Sequence, residues 1–95
     1  LRALEFEPSY PFALRGLGRT YVEMGKGPEA VAALTAAVEI RPDFSEAHYD
    51  LGRAYLLLRN YKKAKAAFQR VIVLAPDSDD ARKARKYLNQ LRYVK

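Results

Sequence analysis

The sequence contains no cysteine and no tryptophan, and it has a single histidine among its 95 residues. The absence of cysteine excludes disulfide bonds, thiolate metal sites and cysteine nucleophiles. It also suits a reducing compartment, so the cytoplasm is slightly favoured for what we expect to be a soluble protein. Few side chains remain for catalysis or metal binding, and we expect no enzymatic activity, no cofactor, no metal and no small-molecule substrate.

Long apolar runs are also missing. No run reaches the eighteen or so apolar residues that a membrane-spanning helix needs, so no span is predicted. The sequence shows no secretory signal and opens on Leu1, and we interpret it as a piece of a longer chain or a processed form. Hydrophobic residues make up 49% of the chain, which is enough for the core of one small domain.

The net charge of +6 is concentrated near the C-terminus. Residues 1–80 contain 11 basic and 11 acidic side chains, which cancel. The surplus cations are Arg82, Lys83, Arg85, Lys86, Arg92 and Lys95. This basic segment is interpreted as the solvated face of a helix, and the alternative is a contact surface for nucleic acid phosphates or an anionic membrane.

An internal repeat with an offset of 34 residues organises the chain. At this offset ten pairs of residues are identical, whereas about two are expected by chance from ordinary residue usage. The pairs are Ala13/Ala47, Leu17/Leu51, Gly18/Gly52, Arg19/Arg53, Tyr21/Tyr55, Ala30/Ala64, Ala32/Ala66, Ala33/Ala67, Pro42/Pro76 and Asp43/Asp77. We therefore predict two copies of one unit, at residues 11–44 and 45–78.

Each unit is predicted to form two helices. First helices should begin near Pro11 and Ser45, because proline suits a first turn and serine suits an N-cap. Apolar residues then recur at spacings of three and four. Gly18 and Gly52 stand inside these helices, where glycine costs about 1 kcal/mol relative to alanine. Their recurrence predicts close helix approach, with Ala30 and Ala64 as the small residues that face them.

The spacing of these residues resembles the tetratricopeptide repeat, with its pattern W-x2-L-G-x2-Y followed by Ala, Phe and Pro. The second unit matches at Leu51, Gly52, Tyr55, Ala64, Phe68 and Pro76, with His48 in the tryptophan position. The first unit matches at Leu17, Gly18, Tyr21, Ala30 and Pro42, with Leu14 and Leu34 in place of the aromatic residues. The resemblance implies an all-α solenoid of helix hairpins that binds proteins or peptides.

The two ends are placed by the same alignment. Residues 1–8 contain "ALEFEP", which aligns with "AVEIRP" in the first unit and is interpreted as the tail of an earlier repeat. Residues 79–95 begin with an acidic helix start but lack the Leu-Gly pair. We predict that they form a C-terminal capping helix, which repeat arrays need for solubility.

The resemblance implies a concave groove lined by the first helices of the repeats. Helical spacing and the repeat alignment then nominate the residues of this groove, namely Arg15, Arg19, Val22, Tyr49, Arg53, Leu56, Leu57, Lys83 and Tyr87. A row of arginines suits carboxylates, because the planar guanidinium donates bidentate hydrogen bonds. The expected ligand is a protein or peptide with acidic groups and an aromatic or aliphatic anchor.

Three alternatives to this hypothesis stay open. In the first alternative both arginines are ordinary surface residues. Arg19 would then pair with Glu23, and Arg53 with Asp50 or Glu46, each within its own helix. In the second alternative the basic C-terminal helix contacts an anionic polymer or membrane. In the third the chain self-associates through an open N-terminal repeat edge. His48 occupies a packing position and is interpreted as a structural residue rather than a base or ligand.

Overall fold

A computed structural model describes residues 10–93, and within that range the chain forms five α-helices and no β-strand. The helices are α1 (Tyr10–Glu23), α2 (Gly27–Ile40), α3 (Ser45–Leu57), α4 (Tyr61–Leu74) and α5 (Asp79–Leu91). The predicted all-α architecture of helix hairpins is confirmed. The predicted tail of an earlier repeat, at residues 1–8, lies outside the described residues.

The turns inside the two hairpins occupy equivalent positions but use different residues. Gly25 takes a φ of 78°, and Pro28 then occupies the first turn of α2. At the position 34 residues later, Arg59 takes a φ of 58°, a left-handed conformation that costs an L-residue about 1 kcal/mol or more. Asn60 follows as the N-cap of α4, and its side chain accepts a hydrogen bond from the Lys63 backbone N–H at 3.3 Å.

The start of α3 depends on apolar packing rather than on a serine cap. Ser45 is the first helical residue, and its hydroxyl lies 3.3 Å from the Glu46 carboxylate instead of capping the helix. The preceding residue, Phe44, is buried and meets the ring of Phe12 edge-on, with 5.0 Å between ring centroids. The Arg41 guanidinium lies 5.5 Å from the Phe44 ring. These contacts tie the start of α3 to α1.

The interior glycines mark the closest approach of the two helices in each hairpin. A Cβ atom at Gly52 would lie 2.7–2.9 Å from the buried ring of Phe68, and one at Gly18 would overlap the side chain of Leu34. The predicted close approach is therefore confirmed. The predicted contact residues were wrong, because a leucine and a phenylalanine, rather than two alanines, lie against the glycines.

Two clusters of buried side chains hold the hairpins together. The first comprises Val22, Ala30, Leu34, Ala37, Phe44, Ala47, Leu51, Ala54 and Ala67. The second comprises Tyr49, Ala64, Phe68, Val71, Ala81, Ala84 and Leu91. Each helix packs on the next, and α3 also contacts α1 and α5, so that α1, α3 and α5 form one layer. No helix within residues 10–93 is long and apolar enough to cross a membrane.

Candidate functional site

The layer of α1, α3 and α5 carries a cavity of about 240 Å³ between α3 and α5. Three of the nine predicted groove residues line it, namely Tyr49, Lys83 and Tyr87. Lys86 and Gln90 complete its walls. Lys83, Lys86 and Gln90 follow one another at spacings of three and four, so α5 presents them on one side.

The aromatic wall of this cavity is held in place by the core. The Tyr87 ring stacks on the ring of Phe68, with centroids 4.7 Å apart and planes 6° from parallel. Tyr49 lies 5.9 Å from Phe68 and 6.3 Å from Tyr87, measured between ring centroids. Because Phe68 is fully buried, it fixes the position of both tyrosines. The cavity therefore offers a preformed aromatic surface.

The hydroxyl group of Tyr49 remains protonated at neutral pH. Burial raises the pKa of Tyr49 to about 12, with a further increase from Tyr87, while the Arg53 charge opposes the shift. Tyr49 is 8% exposed and still borders the cavity, and hydrogen bonding with Tyr87 also favours its protonated form. Arg53 itself is half-buried next to this group.

The basic residues of α5 differ in their contacts. Lys83 and Lys86 line the cavity, and neither forms an ion pair within residues 10–93. Arg82 instead pairs with Asp79 at 3.2 Å, and Arg85 donates a hydrogen bond to the Pro76 carbonyl at 3.0 Å. Of these four cations on α5, Lys83 and Lys86 line the candidate site and the two arginines do not.

The buried carboxylate of Asp50, on α3, interacts with three arginines. Asp50 is 1% exposed, and its Oδ2 atom accepts a hydrogen bond from Arg15 Nε at 2.7 Å. Burial raises the pKa of Asp50, and Arg15 opposes this shift most strongly, followed by the charges of Arg53 and Arg19. Arg15 therefore contacts the buried carboxylate of α3 directly, and Arg53 and Arg19 act on it through their charges.

These contacts decide between the alternatives for individual arginines. Arg19 forms the predicted pair with Glu23, at 3.5 Å between two exposed side chains. The predicted pairing of Arg53 within its own helix is wrong, because no ion pair of Arg53 occurs in residues 10–93. Asp50 bonds instead to Arg15 of the neighbouring first helix. Arg15 is thus engaged inside the fold, whereas Arg53 is half-buried.

Three of the predicted apolar groove residues lie away from the cavity. Val22 was expected to be exposed, but it is 7% exposed and packs in the first core cluster, because its side of α1 faces α2. Leu56 is half-buried against the second cluster. Leu57 is 45% exposed and lies near Gly27 at the start of α2, at the turn end of the hairpins. None of the three lines the cavity between α3 and α5.

Sequence reasoning missed Asp50, Lys86 and Gln90 as parts of the site. Gln90 follows Lys86 by one helical turn, so the helical spacing that nominated Lys83 also identifies this pair. Arg15 and Asp50 stand 35 residues apart, one more than the repeat length, so opposite charges at this separation meet across neighbouring first helices. His48, predicted to be structural, places Nε2 2.9 Å from the Pro42 carbonyl oxygen.

Comparison with known families agrees with this architecture. Residues 15–81 match the family model described as tetratricopeptide repeat. The match covers more than half of the chain and includes most of α1, all of α2, α3 and α4, and the first residues of α5. No curated protein matches the chain.

Proposed function

Because the chain belongs to the tetratricopeptide repeat family, whose members are typically non-catalytic modules of protein–protein interaction, we propose that it binds an acidic segment of a partner protein along α1, α3 and α5. The observation that carries this proposal is the cavity between α3 and α5. It combines two lysine ammonium groups with two tyrosine rings that the core holds in place.

The chemistry of the cavity favours a carboxylate next to an apolar or aromatic side chain. Lys83 and Lys86 supply positive charge without a compensating acidic partner in the described chain. Tyr49 and Tyr87 supply flat apolar area and hydroxyl groups. Tyrosine is enriched among the residues that contribute most of the binding energy at protein interfaces. Gln90 adds an amide that both donates and accepts hydrogen bonds, so it suits a peptide backbone.

The arginines extend this site towards α1. Arg53 lies next to Tyr49, where its charge acts on the tyrosine hydroxyl and on Asp50. Arg19 lies on α1 and is exposed, and its ion pair is a surface pair with Glu23. Such a pair contributes about 0–1 kcal/mol, so a ligand carboxylate can readily replace Glu23. An acidic peptide that runs from the cavity towards α1 therefore meets further cations along its path.

A screen of displayed random peptides tests the proposal. The wild type is compared with a variant carrying Lys83→Glu and Lys86→Glu, and with a control carrying Arg82→Glu and Arg85→Glu. Both variants reverse two charges on α5, but only the first reverses the charges that line the cavity. Circular dichroism establishes that all three proteins fold.

We expect the wild type to enrich peptides with Asp or Glu next to an aromatic or aliphatic residue. A selected peptide should bind the lysine variant about tenfold or more weakly and the arginine control within about twofold, because Arg82 and Arg85 do not line the cavity and a charge at the rim is screened by salt. Equal losses in both variants would identify general attraction to the basic helix. The proposal is refuted if the wild type enriches no acidic peptides.

A further inference from the structure

A cavity of about 310 Å³ lies between α3 and α4 and shares no residue with the candidate functional site. On α4 it is lined by Lys63, Ala66, Ala67 and Arg70, whose spacings of three, four and seven residues place them on one side of the helix. The cavity is present although α2 packs against α3. It is therefore a feature of the assembled hairpins and not a packing surface that awaits a neighbour.

The α3 side of this cavity supplies an apolar floor and a polar ring. Leu51 and Tyr55 form the floor. The Lys63 ammonium group lies 5.7 Å from the centroid of the Tyr55 ring, and this cation–π contact holds a positive charge over the floor. His48 completes the lining, and its Nε2 atom donates a hydrogen bond to the Pro42 carbonyl oxygen at 2.9 Å. Within the described chain no acidic residue lines this cavity.

Two cations stand at opposite ends of the lining that α4 contributes. Lys63 and Arg70 are seven residues apart, which corresponds to about 10 Å along the helix axis. Both side chains are exposed, and neither forms an ion pair within residues 10–93. Ala66 and Ala67 lie between them and offer only methyl groups. The cavity is therefore complementary to a molecule with a negative group at each end and an apolar body in the middle.

The first repeat unit has the same apolar lining but lacks the two cations. Its equivalent cavity, of about 340 Å³, lies between α1 and α2. Four lining residues are identical in the two units, namely Leu17/Leu51, Tyr21/Tyr55, Ala32/Ala66 and Ala33/Ala67. The other three differ, with Leu14, Glu29 and Ala36 in the positions of His48, Lys63 and Arg70. Packing within each hairpin explains the shared residues, but it does not explain the two cations of the second unit.

We propose that the cavity between α3 and α4 binds a small organic dianion whose two carboxylates are about 10 Å apart on an apolar body. Lys63 and Arg70 each bind one carboxylate, and the body lies on Leu51, Ala66 and Ala67. The cavity volume is at the lower end of the range of about 300–1,000 Å³ that is typical of small-molecule sites. An extended peptide fits less well, because the lining between the cations has no polar group to pair with the peptide N–H and C=O.

The probe is biphenyl-4,4′-dicarboxylate, a rigid dianion of this length, and biphenyl-4-carboxylate is its singly charged control. Each is titrated into the full chain at low ionic strength, and the alanine methyl groups are followed by NMR. We expect saturable shifts at Ala66 and Ala67 but not at Ala32 and Ala33, their equivalents in the first unit. The dianion should bind at least about fivefold more tightly than the monoanion, because it engages a second cation.

Two variants test the role of Arg70. Arg70→Ala reproduces the first unit, where Ala36 stands at this position, and the ratio of the two affinities should fall to about one. Lys62→Ala removes a cation that is exposed on the same helix but does not line the cavity, so it should leave the ratio unchanged. Lys83→Glu with Lys86→Glu should change dianion binding by no more than about twofold, so that this proposal and the proposed function can fail separately.

Four results would overturn the proposal. The first is the absence of saturable shifts, or shifts of equal size at the alanines of both units. The second is equal affinity of the wild type for the two probes. The third is an equal effect of Arg70→Ala and Lys62→Ala, which would identify general attraction to a basic surface. The fourth is a set of shifts centred on Tyr49 and Tyr87, since the probe would then occupy the cavity between α3 and α5.

Discussion

Replacing Arg15 with alanine should lower the free energy of unfolding by more than the loss of an exposed ion pair would. Asp50 is 1% exposed, and Arg15 Nε donates to it at 2.7 Å from a side chain that is 25% exposed. Removing one partner of a buried pair leaves a desolvated charge, which costs more than the pair itself contributes. Arg15→Ala therefore removes the strongest compensation for the Asp50 carboxylate.

The magnitude follows from the geometry. At an effective dielectric constant of about 20, unit charges about 4 Å apart attract by about 4 kcal/mol. Water can reach the vacated space because Arg15 is partly exposed, and the charges of Arg53 and Arg19 remain. We therefore expect a loss of about 2 kcal/mol in the free energy of unfolding at pH 7. For a chain of this size the melting temperature should fall by about 8–16 °C.

The dependence on pH separates this mechanism from simple loss of packing. The folded-state pKa of Asp50 is raised above its ordinary value of 3.8, so its contribution to stability is complete below pH 3.8 and decreases as the pH rises through the folded pKa. Without Arg15 the folded pKa rises further. The difference in stability between wild type and Arg15→Ala should therefore be largest near neutral pH and should shrink as the pH falls towards 3.

Urea denaturation between pH 3 and pH 7 provides the measurement, with Arg82→Ala as control. Arg82 and Asp79 form a pair at 3.2 Å whose side chains are 70% and 79% exposed, so its loss should stay within about 1 kcal/mol. Asp50→Asn should reduce the cost of removing Arg15 in a double-mutant cycle. An effect of Arg15→Ala that matches the control, or that is constant over this pH range, would refute the reasoning.

Three further predictions concern local structure, and thermal denaturation tests each of them. Arg59→Gly should stabilise by about 0.5–1 kcal/mol, because glycine adopts the observed φ of 58° without strain, and no gain would show that the arginine is unstrained. Gly52→Ala should destabilise by about 1–3 kcal/mol through collision with Phe68, whereas Gly16→Ala, which meets nothing within 4 Å, should be neutral or stabilising. Ser78→Ala should cost about 1 kcal/mol, because the serine hydroxyl caps α5, and an unchanged melting temperature would exclude that role.

The sequence alone was sufficient to predict the all-α hairpin fold, because the 34-residue repeat constrains many positions at once. The close approach at Gly18 and Gly52 could be predicted because glycine is unfavourable inside a helix, so its recurrence there indicates a packing requirement. The identity of the facing side chain did not follow, because Leu34 and Phe68 extend from the next turn of the second helix to fill the space above each glycine. Periodicity gives the face of a helix, but the reach of a side chain depends on three-dimensional packing.

The candidate site was less predictable, since it depends on contacts between helices. Val22 shares a helical stripe with exposed residues, yet the hairpin partner α2 covers it. The run from Arg82 to Lys86 has one sign of charge in sequence, but its arginines bind Asp79 and the Pro76 carbonyl whereas its lysines line the cavity. Neither outcome follows from helical spacing, because spacing describes a helix before its neighbours are placed.

The recurrence of Arg19 and Arg53 places two guanidinium charges near one buried carboxylate. Both charges act on the buried Asp50, which no residue of the first unit duplicates, because Gly16 stands at the equivalent position. Arg53 also acts on Tyr49 at the wall of the cavity, whereas Arg19 is exposed with a weak surface partner. Stabilisation of Asp50 accounts for one use of this positive charge, and the proposed binding of an acidic ligand would also use the exposed Arg19 and the half-buried Arg53.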